Sequence, residues 1–318
     1  MSSLSFPIPT AIFRPSPRKK TGWFKRDWRL YLMLVIPVVW YLLFCYKPMA
    51  GVMIAFQKYS MVKGMWGSKF VGWKNFEFVM KQRDFLPALQ NTLYLNLLGL
   101  IVGFPVPVVL AIMLNEIRSK GVKRVSQTLL YLPHFLSWVV IAGIWKSFLA
   151  PGEDSAINMI IGLFGQEAVD LLTDKGAIRW VLFFCEAWRS LGWDSIVFYT
   201  AIIGISADIY EAAALDGATR KDIILHIILP ELIIPMTTVF ILNLGFFMSA
   251  GFDQVYNFTN ASVNSVIDIL DTYVNRIGIE NGQYSLGTAV SLIKGLVGLV
   301  LVYSTHITSK KLTGEGVW

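Results

Sequence analysis

Ionisable residues are scarce in this sequence, and two residue types that often bind metals are nearly missing. Only 15% of the 318 residues are charged, and the chain has three histidines and two cysteines. His134, His226 and His306 are too far apart in sequence to suggest a local metal site, and no H-E-x-x-H motif occurs. Cys45 and Cys185 lie in separate apolar segments, so we do not expect a structural disulfide.

The sequence also lacks the motifs of an enzyme that handles nucleotides or hydrolyses bonds inside a membrane. No G-x-x-x-x-G-K-[ST] loop is present to hold nucleotide phosphates. The nucleophile and metal motifs of an intramembrane enzyme are absent as well. We therefore expect a chain that is not an enzyme and binds no cofactor or metal of its own.

Apolar residues are abundant, at 55% of the sequence, and the mean hydropathy is +0.56. A soluble core cannot accommodate that much apolar surface, whereas each membrane-spanning helix requires about 20 apolar residues. The sequence therefore predicts an all-α, polytopic membrane protein with six transmembrane helices. The predicted spans are residues 30–47, 88–114, 128–149, 180–205, 231–252 and 284–306. An even number of spans puts both termini of the chain on the same side of the membrane.

Basic residues precede the first predicted span and indicate that the chain begins in the cytoplasm. They are Arg14, Arg18, Lys19, Lys20, Lys25, Arg26 and Arg29. Beside a membrane span, topology and anionic lipid headgroups explain such a segment better than nucleic acid does. We predict a cytoplasmic segment at 1–29, a membrane domain at 30–306 and a cytoplasmic tail at 307–318.

One polar segment rich in small residues, at 206–230, interrupts the apolar sequence. Its residues 211–230 read EAAALDGATRKDIILHIILP. Alanines give a short helix a low surface, and Glu211 is expected near the helix N-terminus, where the dipole favours a carboxylate. That carboxylate could meet an arginine of another protein. The segment predicts a docking site for a partner, formed by Glu211, Ala212, Ala213, Asp216 and Gly217.

The spacing of this segment resembles the EAA loop of binding-protein-dependent ABC importer permeases. EAA is followed by three residues, Gly217, nine residues and then Ile-x-Leu-Pro. Further similar stretches are YKPM at 46–49, VGWKNF at 71–76 and YLPHF at 131–135, which resemble permeases for polysaccharides or multiple sugars.

The resemblance implies the type I importer architecture and a set of partners. These are a second, different permease subunit, two cytoplasmic ATPases that bind ATP and Mg²⁺, and an external solute-binding protein. It also implies a multi-pass location in the bacterial cytoplasmic membrane, with both termini inside. A secondary transporter or channel driven by an ion gradient is the alternative, and its uptake would be indifferent to ATP.

Charged and aromatic residues inside the spans are candidates for a substrate pathway, because a charge at mid-bilayer costs about 2.5–3.5 kcal/mol on insertion scales. The candidates are Glu186, Trp188, Arg189, Trp193 and Asp194 in the fourth span and Lys294 in the last. A structural ion pair explains Glu186 and Arg189 equally well, since they share one helix face. For Lys294 we favour a structural pair with a carboxylate on a neighbouring span.

Two further patterns are relevant to the pathway. The second span contains Gly99-x-x-x-Gly103 followed by Pro105 and Pro107. This pattern predicts close helix packing and then a kink. The alternative interpretation is a helix that is broken at a transport site. Aromatic stripes such as Phe246-Phe247 are interpreted as lipid-facing or core residues rather than as platforms for sugars.

The loop after the first span carries an unusual excess of positive charge. Its basic residues are Lys47, Lys58, Lys63, Lys69, Lys74, Lys81 and Arg83, against Glu77 and Asp84. One interpretation is a solvated surface that contacts lipid headgroups or an acidic lobe of the binding protein. The other is an anionic substrate, such as a uronate-containing oligosaccharide, which a positive vestibule would concentrate.

Overall fold

The computed structural model describes residues 23–249 and 251–313, which are predominantly helical. Residues 1–22 and 314–318, with most of the predicted basic segment and part of the predicted tail, lie outside the described residues. The chain divides into one unit that ends at Gly51 and a second that begins at Val52. The all-α prediction is confirmed.

Helices of the first half of the chain are α1 (Trp23–Tyr41), α2 (Lys47–Met49), α3 (Gly64–Gly67), α4 (Lys74–Lys81), α5 (Phe85–Leu98), α6 (Pro105–Glu116), α7 (Lys120–Tyr131) and α8 (Trp138–Phe148). Those of the second half are α9 (Ala156–Leu163), α10 (Ile178–Ile203), α11 (Ala207–Leu215), α12 (Arg220–Ile223), α13 (Leu229–Gly245), α14 (Phe252–Phe258), α15 (Asn264–Ile267), α16 (Leu270–Val274) and α17 (Tyr284–Thr313). Strands β1 (Gln57–Lys58) and β2 (Lys69–Phe70) form a small antiparallel ribbon.

Apolar helices long enough to cross a membrane agree in number with the six predicted spans. Four are single: Trp28–Phe56, Phe85–Glu116, Arg220–Gly245 and Tyr284–Lys311. Two more are pairs of helices joined at a bend. The bend is 106° between Lys120–Phe135 and Trp138–Phe148, and 67° between Ile178–Ile203 and Ala207–Leu215. Counted with each bent pair as one span, they make the six spans that the sequence predicts.

The third span is bent rather than straight, which corrects the prediction of one helix over 128–149. Pro133 has no N–H to donate, so the helix of α7 cannot continue regularly through it. Ser137 then caps the start of α8, because its hydroxyl accepts the N–H of Val140 at 3.4 Å. The two arms therefore diverge at the YLPHF stretch.

The fifth span starts and ends earlier than the predicted 231–252. Thr219 and Asp222 form a capping box that begins α12, and π-helical residues Ile224–Ile228 carry the helix into α13 without a break. The helix ends at Gly245. The polar residues at 220–222, which the sequence predicts to lie in a loop, therefore form its first turn.

The glycine–proline pattern in the second span produces a π-helical turn at Gly99–Gly103. The N–H of Phe104 donates to the Gly99 carbonyl at 3.0 Å, so the backbone remains hydrogen-bonded where Pro105 has no donor. The helix continues from Phe85 to Glu116. The broken-helix alternative is therefore wrong for this span.

Helix α10 lies at the centre of the packing. Near its C-terminus, Phe198 and Ile202 are buried against Val108 and Ala111 of α6, together with Ile228 and Leu232 of the fifth span. Near its N-terminus, the buried residues Ile178, Leu182 and Cys185 pack with Ala142, Leu149, Val255 and Phe258. Two of its faces are therefore committed to the core.

Gly192 lets α10 approach α7 closely. A Cβ atom at this position would lie 2.1 Å from the carbonyl oxygen of Leu130. No side chain larger than hydrogen fits there unless the backbone of α7 moves. Small residues allow membrane helices to pack in this way, where van der Waals contact drives association.

A polar network ties the segment at 264–276 to the N-terminal ends of α5 and α10. Arg276 donates two hydrogen bonds to the buried carboxylate of Asp268, at 3.1 and 2.6 Å, and these bonds raise the pKa of Arg276 above its ordinary value. Asn91 donates to the Asp268 carbonyl at 2.9 Å and accepts from Arg179 at 2.7 Å. Each buried polar group thereby gains a partner, as burial requires.

The close approach at Gly192 gives a first prediction. Gly192→Ala should lower the stability of the purified protein by about 1–3 kcal/mol, because an added methyl group must displace the α7 backbone. Thermal unfolding in detergent, followed by circular dichroism, measures the effect. Gly143→Ala in α8 is the control, since a Cβ atom there meets nothing within 4 Å. An unfolding midpoint for Gly192→Ala equal to that of Gly143→Ala would contradict the packing described.

Candidate functional site

A cavity of about 390 Å³ lies between the second, fourth and fifth spans. Its polar lining consists of Asn96, Glu186, Ser190, Asp194, Asn243 and Ser249. Its aromatic lining consists of Phe104, Phe183, Trp193, Phe198, Phe246 and Phe247. Aromatic rings combined with hydrogen-bonding groups form a surface suited to a sugar, whose ring faces are apolar and whose edges carry hydroxyls.

One stripe of α10 forms much of the cavity wall. Glu186, Ser190, Trp193, Asp194 and Val197 recur at intervals of one, three and four residues and therefore share a helix face. Asp194 and Trp193 are exposed to this space, whereas Glu186 is partly buried. The structure thus brings together three of the six predicted pathway residues, Glu186, Trp193 and Asp194. Their role in transport stays a prediction.

Trp188 and Arg189 lie off this wall. The guanidinium of Arg189 lies 5.1 Å from the ring centre of Trp138, and among the described residues its Nε has no hydrogen-bond partner. Trp188 packs edge-on against Trp145, with ring centres 6.0 Å apart. Within the described ranges no ion pair joins Glu186 and Arg189. The proposed structural pair is therefore replaced by a cation–π contact.

Lys294 has a carboxylate partner, but not on a neighbouring span. Its Nζ pairs with Asp271, which belongs to the short helix α16. The lysine side chain is 12% exposed, so the pair is largely removed from solvent. Lys294 is not on the cavity wall. The contact attaches α16 to the last span, and the pathway role of Lys294 stays a prediction.

The ring of His134 stacks on the indole ring of Trp193. The two rings are stacked at 4.4 Å between centres with 3° between their planes. Phe135 approaches the same indole edge-on at 5.6 Å. The bend between α7 and α8 thus fixes the orientation of an aromatic ring on the cavity wall. His134 has this packing role, and in the described residues no cluster of three or more His, Cys, Asp or Glu could hold a metal ion.

Several wall residues were missed from the sequence. Asn96 and Asn243 are uncharged and gave no signal in a search for ionisable residues. Phe246 and Phe247, for which the sequence favours a lipid-facing or core position, both border the cavity, and Phe246 is 73% exposed. They follow directly after α13, and a hydropathy pattern gives no information about where a turn after a helix points.

The segment at 206–230 is exposed where docking is predicted. Glu211, Ala212 and Ala213 lie in α11, Asp216 caps its C-terminus, and Gly217 has a φ of +76°. Leu215 is 90% exposed. Glu211 is in the middle of the nine-residue helix, so its expected position at the N-terminus is wrong; Asp208 occupies the first turn instead.

Ionic and apolar contacts anchor the other parts of this segment. Arg220 pairs with Glu116 at the end of α6, at 3.5 Å. Partly buried Tyr210 and Ile205 pack against the apolar cluster around Phe198. The helical part of the segment is therefore held by α6 and α10, while its Leu215–Gly217 tip is presented outward.

The basic loop folds around an aromatic cluster of Phe56, Phe70, Trp73 and Phe76, in which contacting rings have centres 4.9–6.4 Å apart. Gly72, with a φ of +61°, turns the chain so that its N–H donates to the Phe56 carbonyl at 3.1 Å. Asn75 donates to the Ala55 and Gln57 carbonyls at 2.7 and 2.9 Å. The turn at Gly72 and the hydrogen bonds of Asn75 explain why these two residues stand where they do in the VGWKNF stretch. The cations Lys58, Lys63, Lys69, Lys74, Lys81 and Arg83 are all exposed.

Comparison with known proteins gives consistent results. Two Bacillus subtilis (strain 168) proteins are similar along nearly their whole length. Protein LplB is 40% identical, covering 92% of each chain, and the polygalacturonan/rhamnogalacturonan transport system permease protein YteP is 39% identical, covering 91% of this chain and 90% of its own.

A solved structure of a bacterial alginate ABC transporter, in complex with alginate pentasaccharide-bound periplasmic protein, contains a chain 35% identical in sequence. It matches with a TM-score of 0.85 and covers 92% of this chain and 98% of that one. Residues 96–312 match the family model described as binding-protein-dependent transport system inner membrane component. This chain therefore belongs to that family of multi-pass inner membrane permeases.

Proposed function

We propose that this chain is one transmembrane subunit of an ABC importer for acidic oligosaccharides or polysaccharides. It forms the translocation pathway together with a second, different permease subunit. Two cytoplasmic ATPases supply the energy and bind ATP and Mg²⁺, so that this chain is not itself catalytic. An external solute-binding protein delivers the sugar, and both termini of the chain are cytoplasmic.

The observation that carries this proposal is the continuity of α10 with the exposed docking segment. One face of α10 forms the cavity wall, and after a 67° bend the chain enters α11, which bears Glu211 and Ala212. Ile205 and Tyr210, at and beyond the bend, pack against the apolar cluster that contains Phe198 of α10, so this packing can pass a displacement of α11 to α10. An ATPase that moves α11 would therefore also move the cavity wall.

Acidity of the substrate is supported by two independent features. The basic loop places six exposed cations in the segment Lys58–Arg83, against Glu77 and Asp84. Two of the similar proteins are named for polygalacturonan and alginate, which are polymers of uronic acids. Exposed charges of one sign raise the local concentration of an oppositely charged ligand. A surface for an acidic lobe of the binding protein is the competing interpretation of the loop.

Gly217 tests the coupling part of the proposal. Gly217→Trp should abolish sugar-stimulated ATP hydrolysis or reduce it more than about tenfold, because a bulky side chain at the tip blocks close approach of an ATPase. Glu211→Ala should have a smaller effect. The measurement is ATPase activity of the complex in nanodiscs, with the loaded binding protein added.

Gly165→Trp is the matched control for this substitution. Gly165 has a φ of +71°, and a Cβ atom there meets nothing within 4 Å, as at Gly217. Both substitutions therefore introduce similar backbone strain. Normal activity of an assembled Gly217→Trp complex, or equal loss in both variants, would refute docking at this tip.

The substrate class is tested by comparing sugars of equal length. A uronate oligosaccharide should stimulate ATP hydrolysis by the complex more than the same oligosaccharide with its carboxyl groups reduced to alcohols. Salt sensitivity alone does not decide, because screening over about 8 Å weakens either kind of charged contact. Equal or greater stimulation by the neutral sugar would defeat the acidic substrate and leave the loop as a docking surface.

A further inference from the structure

The charge of the cavity wall is opposite to that of the basic loop. Among the described lining residues, Glu186 and Asp194 are the only ionisable side chains, and no Lys, Arg or His is included. Arg189, the nearest cation in sequence, is turned towards Trp138. If the transported sugar is acidic, this subunit therefore attracts it with one surface and repels its carboxylates with another.

Repulsion inside the cavity has a physical consequence for transport. Charges interact more strongly in a partly desolvated cavity than in water. A cation on this wall would hold a polyanionic sugar tightly, yet conduction requires a ligand to leave as readily as it enters. A carboxylate lowers the affinity for the charged groups while leaving hydroxyls and ring faces free to bind.

The groups around Asp194 fit contact with hydroxyls. Ser190 lies one helical turn before it on α10. Asn243 approaches from the fifth span, Ser249 from the turn that follows it and Asn96 from the second span. All four are neutral hydrogen-bonding residues. Trp193 adds an aromatic face fixed by His134. The wall offers neutral polar contacts and one exposed negative charge.

We propose that Asp194 is a specificity-determining residue that keeps uronate carboxylates away from this wall. The sugar then presents hydroxyls and ring faces to this subunit, and its carboxylates face the second permease subunit, which must supply the cations. This inference rests on the proposed function, because it assumes an acidic sugar.

Equilibrium binding to the complete complex tests the inference directly. The complex of this chain with its partner permease and ATPases is purified without the binding protein. Two fluorescent probes are compared: a galacturonate tetramer and the same tetramer with reduced carboxyls. Asp194→Asn should raise the affinity for the acidic tetramer about three- to tenfold, and Asp194→Lys further, by removal and reversal of the repulsion. Affinity for the neutral tetramer should change by less than about twofold.

Asp253→Asn is the matched control, because Asp253 is an exposed carboxylate outside the cavity lining, and it should leave both affinities unchanged. An equal loss of affinity for both probes in Asp194→Asn would identify Asp194 as an acceptor for sugar hydroxyls and overturn the inference. Unchanged affinities, or no binding of the acidic tetramer by Asp194→Lys, would overturn it as well.

Failure of the proposed function gives a different result. A wild-type complex that is stimulated by the reduced oligosaccharide and not by the acidic one would refute the acidic substrate. The ratio between variant and wild-type affinities for the two probes would still report whether this wall repels negative charge. The two conclusions therefore depend on separate measurements.

Discussion

The contact between Gly192 and the carbonyl of Leu130 determines how the other parts of the site are arranged. It brings α10 against α7 with no side chain between them. Because α7 is fixed there, His134 at the end of this helical arm stacks on the ring of Trp193. The next residue, Asp194, then faces the cavity. A packing constraint on one helix face thus sets the chemistry presented by the adjacent face.

Membrane burial limits how such a structure can bend. Backbone groups in hydrocarbon must be paired internally, so irregular backbone is costly there. The spans at Gly99–Gly103 and Ile224–Ile228 therefore use π-helical turns, in which hydrogen bonding continues through a local change of pitch. The sharp bends at 106° and 67° occur where Ser137 and Ser206 begin a new helix with a side-chain cap.

The sequence predicted the parts of the site that depend on local pattern. Hydropathy and length located six spans and put the candidates Glu186, Trp193 and Asp194 in the fourth. The face that the sequence predicted joined Glu186 to Arg189, whereas the cavity wall joins Glu186 to Trp193 and Asp194. The predicted ion pair of Arg189 with Glu186 does not form, because the Arg189 guanidinium lies over the ring of Trp138 on another helix. Trp138 is distant in sequence, so the local spacing gave no sign of this contact. Asn243 and Phe246 could not be found, since their place depends on how α13 crosses α10.

We propose that this permease works only with an ATPase that docks on the segment at 206–230. Affinity purification of a tagged copy from native membranes, followed by mass spectrometry, tests it most directly. The account predicts an ATP-binding cassette ATPase and a second, different permease in stable amounts with the tagged chain. Recovery of the tagged chain without any ATPase, together with sugar uptake that follows an ion gradient and ignores ATP, would contradict it.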